Sequence, residues 1–247
     1  MDLETATSVR MLAADLRAHM RHSHLSVLAL DRADALASVD AELVRPGEIG
    51  AADDPALRPL FLQFLLEREE TVVLLDPETR IFGALHDLEQ LAHEHGIVLV
   101  PTVLEPLPLD GRSPSEPDLQ ALGIYNSGCL AVGRGAAPFL AWHCAHLRER
   151  SERDLPAGWS LDDRWVDFVP AYFDHHVLRD PGVGVGSWNL HERRLTREDG
   201  RYLANGAPLR TFNFRDLGSR EYSFHSRLPF RVGAADLPDV ARLLEHT

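Results

Sequence analysis

Hydrophobic residues over about the first 150 positions recur in two periods, which predict alternating helices and strands. Between Val9 and His22 the apolar side chains are three and four residues apart, as on one face of a helix. Ser26–Asp31 and Thr71–Leu75 are short, continuous apolar runs, which predict buried strands. The same criteria predict helices at Leu57–Glu69, Leu85–His95, Pro138–Glu152 and Asp163–Phe173, and strands at Ile97–Val100, Leu130–Val132 and Val177–Leu178.

The order of these elements predicts an α/β fold built on one open, mostly parallel sheet flanked by helices. At 247 residues the chain fits a single domain. Strands and helices alternate over about residues 1–150, whereas about residues 151–247 hold shorter pieces and predict a smaller, irregular C-terminal part. Ligands of such sheets bind beyond the carboxyl ends of the strands, where Asp31, Asp76 and Glu78 are all predicted.

Charge and composition exclude several classes of partner. The formal charge is −13, from 25 Lys and Arg against 38 Asp and Glu, so nucleic acid and anionic membrane surfaces are not expected partners. No stretch approaches the roughly 20 apolar residues of a membrane span, and Met1–Glu4 does not begin a signal peptide. Two cysteines, Cys129 and Cys144, are too few for a disulfide scaffold. We therefore expect a cytoplasmic protein that is not integral to a membrane.

Two acidic residues one position apart give the clearest candidate chemistry. Asp76 and Glu78 flank Pro77 directly after the apolar run Thr71–Leu75. Carboxylates at such spacing on a strand end can hold one divalent cation, which in turn can neutralise a departing diphosphate. The hypothesis requires open space between the two carboxylates, so a basic side chain lying between them would contradict it.

Five segments follow one another in the order of a bacterial glycosyltransferase pattern: Leu75–Phe82, Ile124–Gly128, Asp162–Pro170, Val177–Arg193 and Leu203–Arg210. The first resembles the strand-end DxD segment of GT-A-fold glycosyltransferases. The others resemble that group's YN-x-G turn, DQRW-x-D-x-x-P helix start, RDPG…WNLHER run and NG-x-PLR hairpin. Over about residues 8–217 the chain is loosely similar to glycosyltransferase family 8.

The resemblance implies one GT-A-like domain, with a nucleotide-sugar-binding half at about residues 1–150 and an acceptor half at about residues 151–247. It implies transfer of a sugar from a nucleoside-diphosphate sugar to an unknown acceptor, assisted by Mn²⁺ or Mg²⁺, and it favours retention at the anomeric carbon. The implied metal ligands are Asp76, Glu78 and Asn213. The implied catalytic residues are Asp162, Asp163 and Asn189, and the implied donor-binding or acceptor-side residues are Asp31, Tyr125, Asn126, Gly128, Trp188, His191 and Arg215.

Several positions depart from the family pattern. Glu78 replaces an Asp, the pair Asp162–Asp163 replaces Asp-Gln, and Asn213 replaces a metal-binding His. Only Met1–Thr7 precedes the first predicted helix, so the strand that cradles the base is nearly absent. These departures favour an alternative, a catalytically inactive GT-A-like scaffold that binds or regulates a partner. A hydrolase of nucleotide sugars is a third hypothesis. The donor sugar, the acceptor and whether the chain forms a homodimer stay open.

The glycine run and the histidine pairs of the sequence are not predicted to form binding sites, and a serine nucleophile motif is missing. Gly182–Gly186 lacks the G-x-G-x-x-G spacing of a dinucleotide loop, and no helix is predicted after it. His143–His146 and His175–His176 lack a matching second ligand pair at zinc spacing. The chain contains no G-x-S-x-G nucleophile elbow.

Overall fold

The computed structural model describes residues 3–30, 33–112, 114–149, 164–215 and 243. Its helices are α1 (Leu3–His19), α2 (Leu57–Leu66), α3 (His86–His95), α4 (Glu116–Leu122), α5 (Ala137–Glu149) and α6 (Val169–Tyr172). Its strands are β1 (Ser26–Leu28), β2 (Glu42–Val44), β3 (Thr71–Leu75), β4 (Thr79–Ile81), β5 (Ile97–Pro101), β6 (Tyr125–Gly133), β7 (His176–Val177), β8 (Val185–Gly186), β9 (Leu195–Glu198), β10 (Arg201–Ala204), β11 (Ala207–Pro208) and β12 (Thr211–Asn213). The α/β class predicted from the sequence is therefore confirmed.

The central sheet has the strand order β3-β6-β5-β7 and mixed directions. β6 is antiparallel to both β3 and β5, and β7 is parallel to β5. Three of the four strands, β3, β5 and β7, thus run in one direction and β6 runs against them, so a single parallel sheet is not confirmed. A parallel strand would require the chain to cross back over the sheet after β5. Instead Thr102 N donates to Ile124 O at 2.9 Å, so β6 starts beside the carboxyl end of β5 and runs in the opposite direction.

Helices cover both faces of this sheet. On one face Leu88 and Ala92 of α3, together with Leu12 of α1, pack against β5 and β6. On the other face α2 and α5 pack against the same strands through Leu62 and Phe139. Burial on both sides explains why β5 consists only of apolar residues, all of them buried. The core of the domain thus lies between two helical layers.

β1 and β2 form a separate two-stranded parallel sheet. Side chains connect this pair to the rest of the domain, with Val44 and Leu28 packing near Phe61 of α2 and Val72 of β3. α1 is held from the other side by an ion pair, in which Arg80 Nε lies 2.5 Å from Asp15 Oδ2. The predicted strand Ser26–Asp31 is thus shorter than expected, ending at Leu28.

The C-terminal part contains short strands, as expected. β9, β10 and β11 form an antiparallel meander, and β12 lies between β4 and β8. The predicted hairpin at Asn205–Gly206 is confirmed, with φ of 51° and 82° at the two residues, as a two-residue turn requires. Arg210 fixes this part to the first half through an ion pair with Asp87, and it also pairs with Asp180 within the C-terminal part. In the described part of the chain no helix is long and apolar enough to cross a membrane.

Candidate functional site

Asp76 and Glu78 occupy a tight turn at the carboxyl end of β3, as predicted. Asp76 N donates to Gly128 O at 2.8 Å and extends the β3–β6 ladder by one bond. The Asp76 carboxylate accepts a hydrogen bond from Glu78 N at 3.1 Å, which folds the turn back on itself. Both carboxylates are therefore at the sheet edge where ligands of α/β proteins bind.

A basic side chain lies between the two acids. Arg215 Nη2 is 2.7 Å from Asp76 Oδ2, and Arg215 Nε is 2.6 Å from Glu78 Oε2. The bridge follows from the pairing of β12 with β4, which places Asn213 opposite Thr79 and brings residue 215 to the acidic turn. One planar guanidinium thus satisfies two carboxylates through separate nitrogen atoms.

This arrangement does not fit the predicted metal clamp. The space in which a divalent cation would contact Asp76 and Glu78 is taken by the Arg215 guanidinium. The third expected ligand, Asn213, accepts a hydrogen bond from Arg215 N through its side-chain oxygen at 2.8 Å. Across the residues that the structure describes, no group of three or more His, Cys, Asp or Glu is placed to hold a metal ion.

The start of β6 meets the acidic turn. Asn126 Oδ1 accepts a hydrogen bond from Gly128 N at 3.0 Å, which fixes the backbone beside Asp76. A Cβ at position 128 would lie 3.3 Å from both the Asp76 side chain and Asn126 Oδ1. Gly128 therefore permits a close approach of β6 to the acids. Burial raises the pKa of Tyr125, and the charge of Asp167 raises it further.

Asp167 is a residue that the sequence analysis missed. Its carboxylate accepts hydrogen bonds from Ile124 N at 3.0 Å and Tyr125 N at 3.2 Å, and it lies 3.3 Å from Arg164 Nε. Burial raises its pKa despite these contacts. Asp167 thus holds the start of β6, the strand that pairs with β3. Only its position in the Asp162–Pro170 motif was visible in the sequence.

Asn189 was predicted to be catalytic, yet its side chain is fully buried. Its amide nitrogen donates to Thr102 O and Gly184 O, each at 3.0 Å, and its oxygen accepts from Gly186 N at 3.1 Å. All of these partners are backbone groups. In this geometry Asn189 therefore acts as a positioning residue, which joins the end of β5 to the segment around β8.

Of the residues beside Asn189, Trp188 is half-buried and Leu190 is buried. The Trp188 ring lies so close to Gly186 that a Cβ there would be 2.4 Å from it. His191 is half-exposed on the following turn. Glu192, which the sequence analysis used only as a motif residue, accepts hydrogen bonds from Leu104 N and Glu105 N at 2.8 Å each.

An open cleft of about 580 Å³ begins at the acidic turn. Its mouth is polar and its interior, between α1, α2 and the strands β1 and β3, is apolar. Of the predicted site residues, the cleft brings together Asp76, Gly128 and Arg215, with Glu78 joined through Arg215. Tyr125, Asn126, Trp188, Asn189 and His191 do not line it. Asp31, Asp162 and Asp163 lie outside the described residues.

Comparison with known proteins shows the fold. No family model matches the sequence. The uncharacterized protein YfnF of Bacillus subtilis (strain 168) is 26% identical over 206 residues, which is 77% of this chain. The match spans 65% of YfnF, so the chain corresponds to less than two thirds of that relative.

Two solved structures of glycosyltransferases share the architecture. One is a glycosyltransferase involved in the glycosylation of the major capsid of PBCV-1, with a TM-score of 0.51 and 10% identity, covering 100% of this chain and 94% of that one. The other is the glycosyltransferase GlyE of Streptococcus pneumoniae TIGR4, with a TM-score of 0.51 and 14% identity, covering 97% of this chain and 59% of that one. The chain therefore has the α/β fold of these glycosyltransferases.

Proposed function

We propose that this chain is a glycosyltransferase that takes a nucleoside-diphosphate sugar as donor and binds it in the cleft beside Asp76. The observation that carries the proposal is the position of the cleft. It opens at the carboxyl end of β3, directly beside a guanidinium, in a fold shared with two glycosyltransferases. Its volume is of the size that holds one small organic ligand.

The mouth of the cleft offers groups suited to a diphosphate. Arg215 presents a planar fork of donors, which matches phosphate oxygens. Gly128 lets β6 approach Asp76 closely, which brings the β6 backbone to the mouth of the cleft. The apolar side chains of the interior, such as Leu28 and Leu75, form the floor on which a base and ribose would lie. The acceptor would enter from the exposed side of the mouth.

The charge of the acidic turn decides how tightly a donor binds. Asp76, Glu78 and Arg215 together carry a formal charge of −1. A diphosphate must therefore compete with two carboxylates for the same guanidinium, which weakens its binding. The expected Mn²⁺ or Mg²⁺ is not part of this proposal, because the Arg215 guanidinium occupies the space between the two acids. The proposed role of Arg215 does not depend on a metal ion.

A second candidate function is supported by the same ion pair. The chain is then a catalytically inactive scaffold that binds or regulates a partner, and Arg215 permanently occupies the place of a cation. The two candidates differ in one property. The transferase must release Arg215 to a phosphate, whereas the scaffold keeps it bound to Asp76 and Glu78.

The test is calorimetry with a panel of nucleoside diphosphates, first in EDTA and then in Mn²⁺, followed by assays of nucleotide sugars for release of the nucleoside diphosphate. The transferase predicts binding that Arg215→Met weakens at least 10-fold. Arg68→Met is the matched control, because Arg68 forms a surface ion pair with Glu42 outside the cleft. Absence of nucleotide binding and turnover in the folded protein under both conditions would rule out the transferase and leave the scaffold.

A further inference from the structure

Two strand edges face each other across an open slot. β1 pairs only with β2, and β3 is the outermost strand of the central sheet, so in the described residues each has one edge without a neighbouring strand. Residues of both strands line the same two connected spaces, one of about 570 Å³ and one of about 580 Å³. The first adjoins His24, at the amino end of β1, and the second adjoins Leu30, past its carboxyl end. The slot therefore runs along the full length of β1 and β3.

The free edge of β3 presents backbone hydrogen-bonding groups to the slot. Residues 72, 74 and 76 bond to β6, since Asp76 N donates to Gly128 O and the register pairs Leu74 with Leu130. In an antiparallel pair the intervening residues direct their N–H and C=O groups to the opposite side. Val73 and Leu75 thus point their peptide groups into the slot.

β1 presents the same groups from the other side. Glu42 N donates to Leu25 O, and Ala29 N donates to Val44 O, so the odd-numbered residues of β1 bond to β2. Ser26 and Leu28 therefore direct their peptide groups away from β2 and into the slot. Among the described residues, β1 and β3 thus each form backbone hydrogen bonds only on the side that faces away from the slot.

Helices close the slot above and below with apolar side chains. Leu12 of α1 packs near Leu25 and Leu75 on one side, and Phe61 of α2 packs near Leu28 and Val72 on the other. β1 and β3 run in the same direction, because the start of each lines one space and the end of each lines the other. A strand parallel to both would therefore be buried on both faces.

We propose that this slot binds an extended segment of a partner polypeptide, which inserts between β1 and β3 as a parallel strand. An extended peptide backbone can form hydrogen bonds with both strand edges along their whole length, which a compact ligand cannot do. Helices on both faces require about five consecutive apolar side chains, since alternating polar ones would be buried without partners. Glu69, Glu70 and Glu89 lie where the inserted strand would begin, so basic residues preceding its apolar run are favoured.

The inserted strand fills the inner part of the cleft beside Asp76, because Leu28 and Leu75 line both the slot and the cleft. It joins the β1–β2 pair to the central sheet through two ladders, whereas in the described residues the two sheets share side-chain packing and no strand pairing. The observations behind this proposal are the strand edges rather than Arg215, but a strand in the slot and the base of a donor compete for the same space.

The test uses synthetic peptides with two lysines followed by five alternating valines and isoleucines. Amide exchange of the protein is followed by NMR. Binding should slow exchange at Val73 and Leu75 about 10-fold or more, while Val72 and Leu74, already bonded to β6, stay unchanged. A peptide N-methylated at alternate residues is the matched control, since it keeps the apolar side chains and loses one ladder.

Three results would overturn the proposal. The first is equal binding by the N-methylated peptide, which would mean apolar contact without strand pairing. The second is no protection at Val73 at any peptide concentration. The third is protection that grows with protein concentration in the absence of peptide, which would assign the slot to a second copy of this chain.

A protein variant tests the other wall. Ser26→Pro removes the N–H that β1 directs into the slot and leaves the bonds to β2 in place. We expect it to weaken peptide binding at least 10-fold. Ser26→Ala is the control, because it removes only the hydroxyl that contacts Glu42 and keeps the backbone donor. Should the proline variant fail to fold, the exchange pattern of the unaltered protein still decides the matter.

Discussion

The central sheet and the β1–β2 pair are built from similar apolar residues but are held in place differently. In the central sheet β5 lies between two bonded neighbours and all five of its residues are buried. In the β1–β2 pair each strand has three residues, and those of β1 are only half-buried. The first region is stabilised by ladders and packing together, whereas the second depends on packing against α1 and α2.

The difference shows what a continuous ladder adds. A strand bonded on both sides fixes its register, because a shift by one residue would turn every side chain to the wrong face. In the described residues the β1–β2 pair is not bonded to any other strand. It can therefore separate from the rest of the domain as a unit when its packing contacts loosen. We therefore expect the β1–β2 pair to open at lower free energy than the central sheet.

The largest expected effect is a loss of unfolding free energy in the central sheet. Leu99 is fully buried in β5, so Leu99→Ala should reduce the free energy of unfolding by about 3 kcal/mol through the cavity that it leaves. Val27 of β1 is half-buried, and Val27→Ala should cost about 1 kcal/mol. Urea unfolding measures both. Equal losses would contradict the distinction between the two regions.

A second effect tests a connection made by charges instead of apolar groups. Arg210 is largely buried and pairs with Asp87 and Asp180, joining the C-terminal part to α3. Arg210→Met leaves two carboxylates without their cation, and we expect a loss of about 2 kcal/mol in unfolding free energy. Arg148→Met breaks the exposed pair with Asp54 and should cost less than about 1 kcal/mol. A similar loss in both variants would contradict the burial argument.

A third effect concerns how the ion pair between Asp87 and Arg210 depends on pH. Burial raises the pKa of Asp87, but the hydrogen bonds and charge of Arg210 lower it more, so the net pKa lies below its ordinary value of 3.8. The stability that Asp87 contributes is therefore complete above pH 3.8 and is lost as the pH falls through the lowered pKa. An NMR titration of its carboxyl carbon should show this midpoint, and Arg210→Met should move it upward. An unchanged midpoint would remove Arg210 as the cause.

The smallest expected effect is the slow reaction of Cys129 with a thiol reagent. Cys129 lies opposite Leu75 in the β3–β6 ladder, and burial raises its pKa to about 12. At pH 8 very little thiolate is present, so a thiol reagent should label Cys129 only as fast as the sheet opens. Mass spectrometry after short exposures measures this rate. Rapid labelling of the folded protein would mean that β3 separates from β6 as easily as β1 separates from α2.

Periodicity in the sequence predicted the elements that are buried on both faces. Ile97–Val100 was found almost to the residue, because burial on two sides requires an unbroken apolar run, and the half-buried strand Thr71–Leu75 was found from the same kind of run. β6 was underestimated, since Tyr125–Ser127 at its start carry polar side chains and Gly128 carries none. Strand direction could not be predicted either, because it depends on where the chain turns after Thr102.

The candidate site was predicted in part. The position of Asp76 and Glu78 after a strand was visible from spacing alone. The contact with Arg215 was not, because residues 78 and 215 are 137 positions apart and meet only through the pairing of β12 with β4. The resemblance implied a catalytic role for Asn189, but an amide can also bond to backbone groups, and the burial of Asn189 was not visible in the sequence.

Asn189 has a consequence for how the rim beside β5 meets a ligand. Its amide is already saturated by Thr102, Gly184 and Gly186, so this stretch of backbone is ordered before anything binds. The conformational entropy of that stretch is lost during folding, and an arriving molecule need not lose it again. A ligand that binds on this side should therefore meet a backbone that is already rigid. Its association should be fast, and the backbone dynamics should change little.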